Sequence, residues 1–346
     1  MLFDSSRENN VVFFIYITVG NTTVMPGEIL LTLHPLGFVG YSIVLLASLF
    51  GNSVIIHIIR TDNSMKTTTN YLIINQACAD LLISIAQITG VFYYSSTNSV
   101  WIGGIVGLIF CKMYIAVLFI SPKFSAWILA IIAIDRFYAV ARPLRLSPIS
   151  QHLKKIIFLC WAWSSAFSMH YIVKETFKNV KGHYYCDLTI LFNEWSIFST
   201  ISITLNVFTP LSMMTVLYTI VCLKLCSREV PGEGNNQNEE QAAALKIARK
   251  VTRMMTIVVV LYLICWLPVY MSVLLYVGSR VQANDSLFIF TNFLTLCYGG
   301  MNPYVYLILS QNFRNGFKKL LTKFCGKLRI SNFISFRSKS VELKQI

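Results

Sequence analysis

An all-α membrane protein, a bundle of seven membrane-crossing helices with a short amphipathic helix after the seventh, is the fold class this sequence predicts. Three observations predict it: seven apolar stretches of bilayer-crossing length, a charge content too low for a soluble chain, and basic residues gathered in alternate connectors. Charged residues are 13% of the 346 and hydrophobic residues 55%, against roughly 25% charged in an ordinary soluble domain. The net charge of +14 would suit nucleic acid, but the basic residues sit in short segments between apolar runs. The expected partner surface is therefore the lipid bilayer, with no nucleic acid.

Residues 1–34 read as an amino-terminal segment, 35–309 as the bundle, and 310–346 as an amphipathic helix and tail. Val11 to Val19 is apolar like a signal-peptide core, yet Asp4, Arg7 and Glu8 leave the preceding segment without net positive charge, which argues against a cleaved signal. Asn21-Thr22-Thr23 is a glycosylation acceptor if this end lies outside.

The first span, residues 35–59, carries Gly51-Asn52 near its inner end, and Arg60 to Thr69 form a basic loop. The second, 70–94, holds Asn75 and Ala79-Asp80. A lone carboxylate at that depth would cost several kcal/mol, so Asp80 must face the bundle and find water, a cation or polar partners. Trp101, in the next connector, reads as a membrane-interface anchor. Residues 107–141 form the third span, a helix starting near Cys111 and ending at Asp135-Arg136-Phe137; it exceeds the roughly 20 residues a bilayer needs. An adjacent Asp and Arg at its inner end suggest a switch, with an Arg that merely snorkels to the headgroups as the alternative. Lys123, one place after Pro122 in mid-helix, has two readings: it reaches through a polar seam to Asn206, the favoured one, or it meets an anionic group of a ligand.

The fourth span, 154–173, contains Trp161 and is followed by a polar segment with Cys186. The fifth, 191–225, contains Pro210 and Tyr218, and 227–241 has the Pro, Gly, Asn and Glu content of a flexible loop. Lys246, Arg249, Lys250 and Arg253 open the sixth, 242–277, where Cys265-Trp266-Leu267-Pro268 places a kink, since Pro removes one helical hydrogen bond. The seventh, 286–309, ends in Asn302-Pro303-Tyr304-Val305-Tyr306. Beyond it, Phe313, Phe317, Leu320 and Leu321 oppose lysines on a helix expected to lie on the membrane. Counted by connector, 22 of the 29 Lys and Arg fall on one side, which puts the amino terminus outside and the tail inside.

Taken together, Gly51-Asn52, Ala79-Asp80, Asp135-Arg136-Phe137, Trp161, Pro210 with Tyr218, Cys265-Trp266-Leu267-Pro268 and Asn302-Pro303-Tyr304-Val305-Tyr306 resemble, in order and one set per span, the signatures of rhodopsin-like G-protein-coupled receptors. The resemblance covers residues 35–325. Phe137 replaces the usual Tyr, and Tyr262 stands where many relatives have Phe. The resemblance implies a ligand cavity between the outer helix halves and a heterotrimeric G-protein site that opens at the inner face as helix six swings outward. It implies no enzyme and no cofactor.

Within that frame, Asp135 pairs Arg136 at rest and releases it toward Tyr218, Tyr306 and the G protein. Trp266, Pro268, Pro210, Asn302 and Pro303 form the activation core, with simple packing as the alternative for Trp266. Asp80, Ser125, Asn52 and Asn302 are the sodium set, although Tyr298-Gly299-Gly300 stands where the family offers further polar groups. The topology puts only Cys111 and Cys186 of the nine cysteines at the oxidising outer face, where they are expected to form one disulfide. Cys325, after the amphipathic helix, is a candidate for a palmitoyl anchor.

Leu118 stands where amine receptors carry an Asp, which argues against a monoamine, and the seventh span has no Lys for a retinal Schiff base. The run from Ala248 to Met255 looks like neuropeptide receptors of the galanin, tachykinin and neuropeptide Y type, and the outer loop is long enough for a hairpin. A peptide contacting Leu118, Phe119, Tyr184, Tyr185, Asp187, Tyr270 and Asn292 is the expected ligand. The alternative is a lipid or other small molecule, suggested by the apolar positions Leu118, Phe119 and Val273. A transporter or membrane enzyme would need paired intramembrane acids or a His cluster, and Asp80 is alone at mid-depth.

Overall fold

The computed structural model describes residues 17–19, 22–24, 35–96, 100–141, 147–174, 176–180, 182–186, 197–227, 236–279 and 285–323. Two short strands, β1 (Ile17–Val19) and β2 (Thr22–Val24), pair antiparallel ahead of the bundle. Four helices follow: α1 (Pro35–Thr61), α2 (Thr68–Ser96), α3 (Gly104–Ala141) and α4 (Leu153–Ala166), the last continued after a break by Met169–Val173. A hairpin of β3 (Phe177–Val180) and β4 (His183–Cys186) leads to α5, which runs through Ile197–Ile203, a π-turn at Thr204–Phe208, and Thr209–Cys226. The bundle closes with α6 (Asn236–Ser279) and α7 (Asp285–Leu309), and α8 occupies residues 311–323.

The packing is inverted relative to a soluble protein. Asn52, Asp80, Asp135, Asn206 and Asn302 are buried, while Leu46, Phe158, Leu223 and Ile264 are exposed on the perimeter. Such a surface is stable only against lipid, because exposed apolar area costs about 25 cal/mol per Å² in water. Among the described residues, Val39–Thr61, Gly104–Ala141, Thr200–Cys226 and Leu245–Met271 are long and apolar enough to cross a membrane, and Phe293–Leu309 is a shorter apolar helix. The remaining spans carry polar side chains such as Gln76 and Asp80 that face inward.

With 38 residues, α3 is about 57 Å long at 1.5 Å per residue, well beyond a hydrocarbon core of roughly 30 Å. It touches α2, α4, α5 and α6, so it forms the axis of the bundle. Its start at Gly104 precedes the expected Cys111 by two turns; Gly104 has φ 71°, a left-handed conformation open to glycine, and there the chain turns into the helix. Phe124 stacks on Trp161 with centroids 3.8 Å apart, which fixes α4 against α3.

Three other expectations need correction. The predicted fourth span is interrupted at Phe167 and Ser168, where the Ser168 hydroxyl donates to the Ser164 carbonyl at 2.8 Å. The predicted loop 227–241 is too long, because helix α6 already begins at Asn236. The amphipathic helix, expected to lie on the membrane, docks on protein: Phe313 is buried in the main core, Phe317 and Leu320 pack against it, and Leu321 alone of the four is exposed.

Close approach of α1 and α7 depends on Gly51, where an added Cβ would lie 2.8 Å from Pro303 Cβ. Gly51→Ala is expected to force the two helices apart at a cost of about 1–3 kcal/mol, visible as a lower melting temperature of the purified protein. An unchanged melting temperature would mean that Pro303 shifts freely. At the same end, Lys319 on α8 donates to Asp62 at 2.9 Å, and hydrogen bonds from Ser64 and Lys319 hold the Asp62 carboxyl down to about 2. Because that value is depressed, the tie is fully formed above about pH 4 and is lost as the pH falls towards about 2.

Candidate functional site

Two regions at opposite ends of α3 bring the expected residues together. At one end, Cys111 and Cys186 form a disulfide with Cα atoms 5.6 Å apart, tying β4 to α3. Trp101 is a correction. It is 5% exposed; its backbone N–H donates to the Tyr184 carbonyl at 2.6 Å and its indole N–H to the Gly107 carbonyl at 2.8 Å. It pins the hairpin to the bundle and is not an interface anchor. Gly103 leaves room for the Tyr184 ring, which also stacks on Phe177 at 5.3 Å. On β4, side chains alternate, so Tyr184 and Cys186 face the frame while Tyr185 shares the other face with Lys178, its partner in β3. Asp187 and Cys325 lie outside the described residues, as does Asn21. Asn292 belongs to α7, with its side chain outside the description.

Between the helices lies a cavity of about 130 Å³ walled by α2, α3, α5, α6, α7 and, through Tyr171, the segment that continues α4. Leu118, Phe119 and Tyr270 line it, as expected of ligand contacts, together with Trp266. Asp80, Ser125 and Lys123 line it as well. Trp266 stacks on Tyr270 at 5.7 Å and on Tyr262 at 6.0 Å, and Tyr262 meets Tyr298 edge-on at 5.3 Å. Tyr298 accepts a hydrogen bond from Gln76 Nε2 at 2.9 Å, Gln76 Oε1 accepts from the Tyr306 hydroxyl at 3.5 Å, and Tyr306 stacks on Phe313. A continuous ladder thus runs from the cavity to α8. Gln76 and Tyr298 were not singled out as members from the sequence; a glutamine and a tyrosine buried in apolar spans were the available signal.

Lys123 is 9% exposed, and the favoured sequence reading of it is wrong. Asn206 instead accepts from Trp127 Nε1 at 3.2 Å and donates to the Ser202 carbonyl at 2.9 Å. Lys123 Nζ donates to the Phe119 carbonyl and to Ser168 Oγ, each at 3.0 Å, and lies 5.4 and 5.1 Å from the ring centroids of Phe119 and Tyr171. The break in α4 is what presents the Ser168 hydroxyl.

Asp80 accepts from Asn302 Nδ2 at 3.1 Å. Ser125 Oγ and Asn302 Oδ1 are buried without a hydrogen-bond partner. These oxygens and the Asp80 carboxylate are donors of the kind a hard cation takes, so three of the four residues expected to hold sodium fit that group. Asn52 Nδ2 donates to the Ser48 carbonyl at 2.9 Å and the Gly299 carbonyl at 3.1 Å, joining α1 to α7. Pro210 follows the π-turn, and Pro268 and Pro303 lie inside α6 and α7.

At the far end of α3, Asp135 Oδ2 accepts from Arg136 Nη2 at 2.5 Å and from Thr69 Oγ1 at 2.8 Å, and Arg136 also donates to Thr69. The closed triad holds Arg136 against α2. Tyr218 is buried on α5 without a hydrogen bond to Arg136, and Tyr306 turns to Gln76. Arg136 Nε and Thr252 Oγ1, on α6, are buried without partners. The lock is formed, while the groups expected to receive a released Arg136 stand apart from it.

Comparison with known proteins agrees with this geometry. A sequence profile of the family described as 7 transmembrane receptor (rhodopsin family) matches residues 51–306. The chain is 27% identical to the substance-P receptor of Aquarana catesbeiana over 325 residues, covering 89% of this chain and 75% of that one. It is 27% identical to the tachykinin-like peptides receptor 99D of Drosophila melanogaster over 296 residues (81% and 55%) and 27% identical to the neuromedin-K receptor of Oryctolagus cuniculus over 304 residues (85% and 62%).

Proposed function

We propose, from the premise that this chain belongs to the rhodopsin family of seven-transmembrane receptors, that an extracellular neuropeptide activates it and that it then catalyses nucleotide exchange on a heterotrimeric G protein. It is a multi-pass plasma-membrane protein. In this reading the disulfide-bonded end and the amino terminus are outside, and the Arg136 end and tail are inside, as the distribution of Lys and Arg supports. Residues 1–34 are the extracellular segment, with Asn21 glycosylated, and 310–346 the cytoplasmic part, with Cys325 palmitoylated. Sodium held by Asp80, Ser125 and Asn302 stabilises the resting packing. Outward movement of α6 about Pro268 opens the inner face.

The observation that carries the peptide reading is the hairpin, fixed by a disulfide and by Trp101, together with a cavity too small for a whole peptide. A peptide would lie on the hairpin and insert one end. The relatives named for substance P and tachykinin-like peptides support the ligand class. A peptide library screened on cells expressing the receptor with several G-protein reporters tests it; a library that leaves every reporter silent counts against it.

The apolar cavity wall favours a second reading, a lipid or other small molecule, and one pair of mutants separates the two. Tyr184 belongs to the frame, so Tyr185→Ala is the informative loop change. With a peptide ligand it should weaken activation by about tenfold or more, the effect of losing roughly 1.4–2 kcal/mol of contact. With a ligand held within the bundle, Tyr185→Ala should respond like wild type while Phe119→Ala and Tyr270→Ala fail.

A further inference from the structure

We propose that Lys123 is the anchor for a carboxylate at the end of the ligand, so that the receptor selects a ligand whose apolar terminal group carries a free acid. The proposal deepens the receptor reading above and rests on it. Lys123 is buried at mid-span, its ammonium set against the broken end of α4, and it lines the cavity wall. An ammonium has three donors. Two are used, on the neutral oxygens of Phe119 and Ser168, and two aromatic faces lie within 5.4 Å. None of these partners carries a negative charge. No ion pair joins Lys123 to Asp80, the other charged side chain on the wall, which hydrogen-bonds Asn302 instead.

A buried cation without a counter-charge keeps much of its desolvation cost, and that cost is relieved when an anion enters. A second donor points to the same chemistry: Trp266 Nε1–H, on the same cavity wall, is buried without an acceptor. The remaining wall is largely apolar, with Leu118, Ile203, Val207, Val269 and Leu296. Its volume of about 130 Å³ is near that of a cavity able to hold benzene, about 150 Å³. The site therefore accepts one apolar group of that size with one carboxylate, either the free carboxyl-terminal residue of a peptide or the head of a fatty acid. A peptide ending in an amide lacks the charge and is discriminated against.

The test uses the purified full-length receptor in nanodiscs and thermal unfolding, a readout that needs no G protein. 3-Phenylpropionate at millimolar concentration should raise the melting temperature by about 2 °C or more, and 3-phenylpropanamide should not. Lys123→Met should abolish the difference and should melt no lower than wild type without a probe, since it removes an uncompensated charge. Lys123→Gln, which keeps a neutral donor, should lose the discrimination too and serves if the Met variant does not fold. Ser168→Ala, which removes only the hydroxyl partner, should retain it. Paired probes then identify the source: N-acetyl-Phe-Leu against its amide for a peptide, dodecanoate against dodecanol for a lipid. Equal shifts by acid and amide, no shift by any acid, or discrimination that survives both Lys123 variants would overturn the assignment. Peptide-stimulated exchange in the reporter assay would stand apart from that result, so the two failures are distinguishable.

Discussion

Arg136→Ala should leave ligand binding in place and reduce ligand-stimulated nucleotide exchange by about ten- to a hundred-fold. The guanidinium is held at rest by Asp135 and Thr69, and its Nε is buried without a partner. In the proposed activation, movement of α6 would make the same group available to Tyr218, Tyr306 and the G protein. Hydrogen bonds to charged groups contribute roughly 1.5–3 kcal/mol, which is the tenfold to hundredfold expected. Asp135→Asn should act in the opposite sense, because it weakens the lock and keeps the guanidinium: exchange without ligand should rise. Surface expression measured in parallel separates coupling from folding. If Arg136→Ala couples as well as wild type at equal expression, Arg136 serves only as a boundary residue.

The second large effect is expected at the disulfide. Cys111 and Cys186 are 75 residues apart in sequence, and closing a loop of that length removes about 4 kcal/mol of chain entropy from the unfolded state in the simplest estimate. Cys111→Ser and Cys186→Ser should therefore each lower surface expression and melting temperature sharply. The double variant should be no worse than either single one, since both remove the same bond. Wild-type stability in both single variants would mean that the Trp101 and Tyr184 contacts hold the hairpin unaided.

The sequence made the seven spans, their marked residues and the paired ends of α3 legible, because a bilayer imposes length and polarity rules on every helix. Asp135 with Arg136 was legible because the two are adjacent at the inner end of a span, and Asp80 was placed facing the bundle because a buried charge needs a partner; Asn302 came in only through the sodium set that the family resemblance implies. Choice among several neutral partners was not legible. Lys123 was assigned to Asn206, yet Trp127 takes that amide and the broken end of α4 supplies Ser168, an outcome set by helix rotation and not by hydropathy. Trp101 was misread because an interfacial tryptophan and one pinning a hairpin share the same sequence context. The early start of α6 was missed because Asn and Glu signal loops and helix starts alike.

The π-turn in α5 changes how positions can be carried over from any relative. Successive residues of an α-helix are 100° apart, and a π-turn accommodates one extra residue. Counting back from Pro210, positions beyond Thr204–Phe208 are therefore offset by one from a straight helix. Ser202, on the cavity wall, stands where a straight helix would set position 203. Aligned without a gap to a relative whose fifth helix lacks this turn, the chain would have each residue from Ile197 to Ile203 compared with a neighbour facing about 100° away. A one-residue gap within Thr204–Phe208 restores the correspondence, and deleting one residue there should rotate the cavity half of α5 by the same angle while leaving the half around Tyr218 in place.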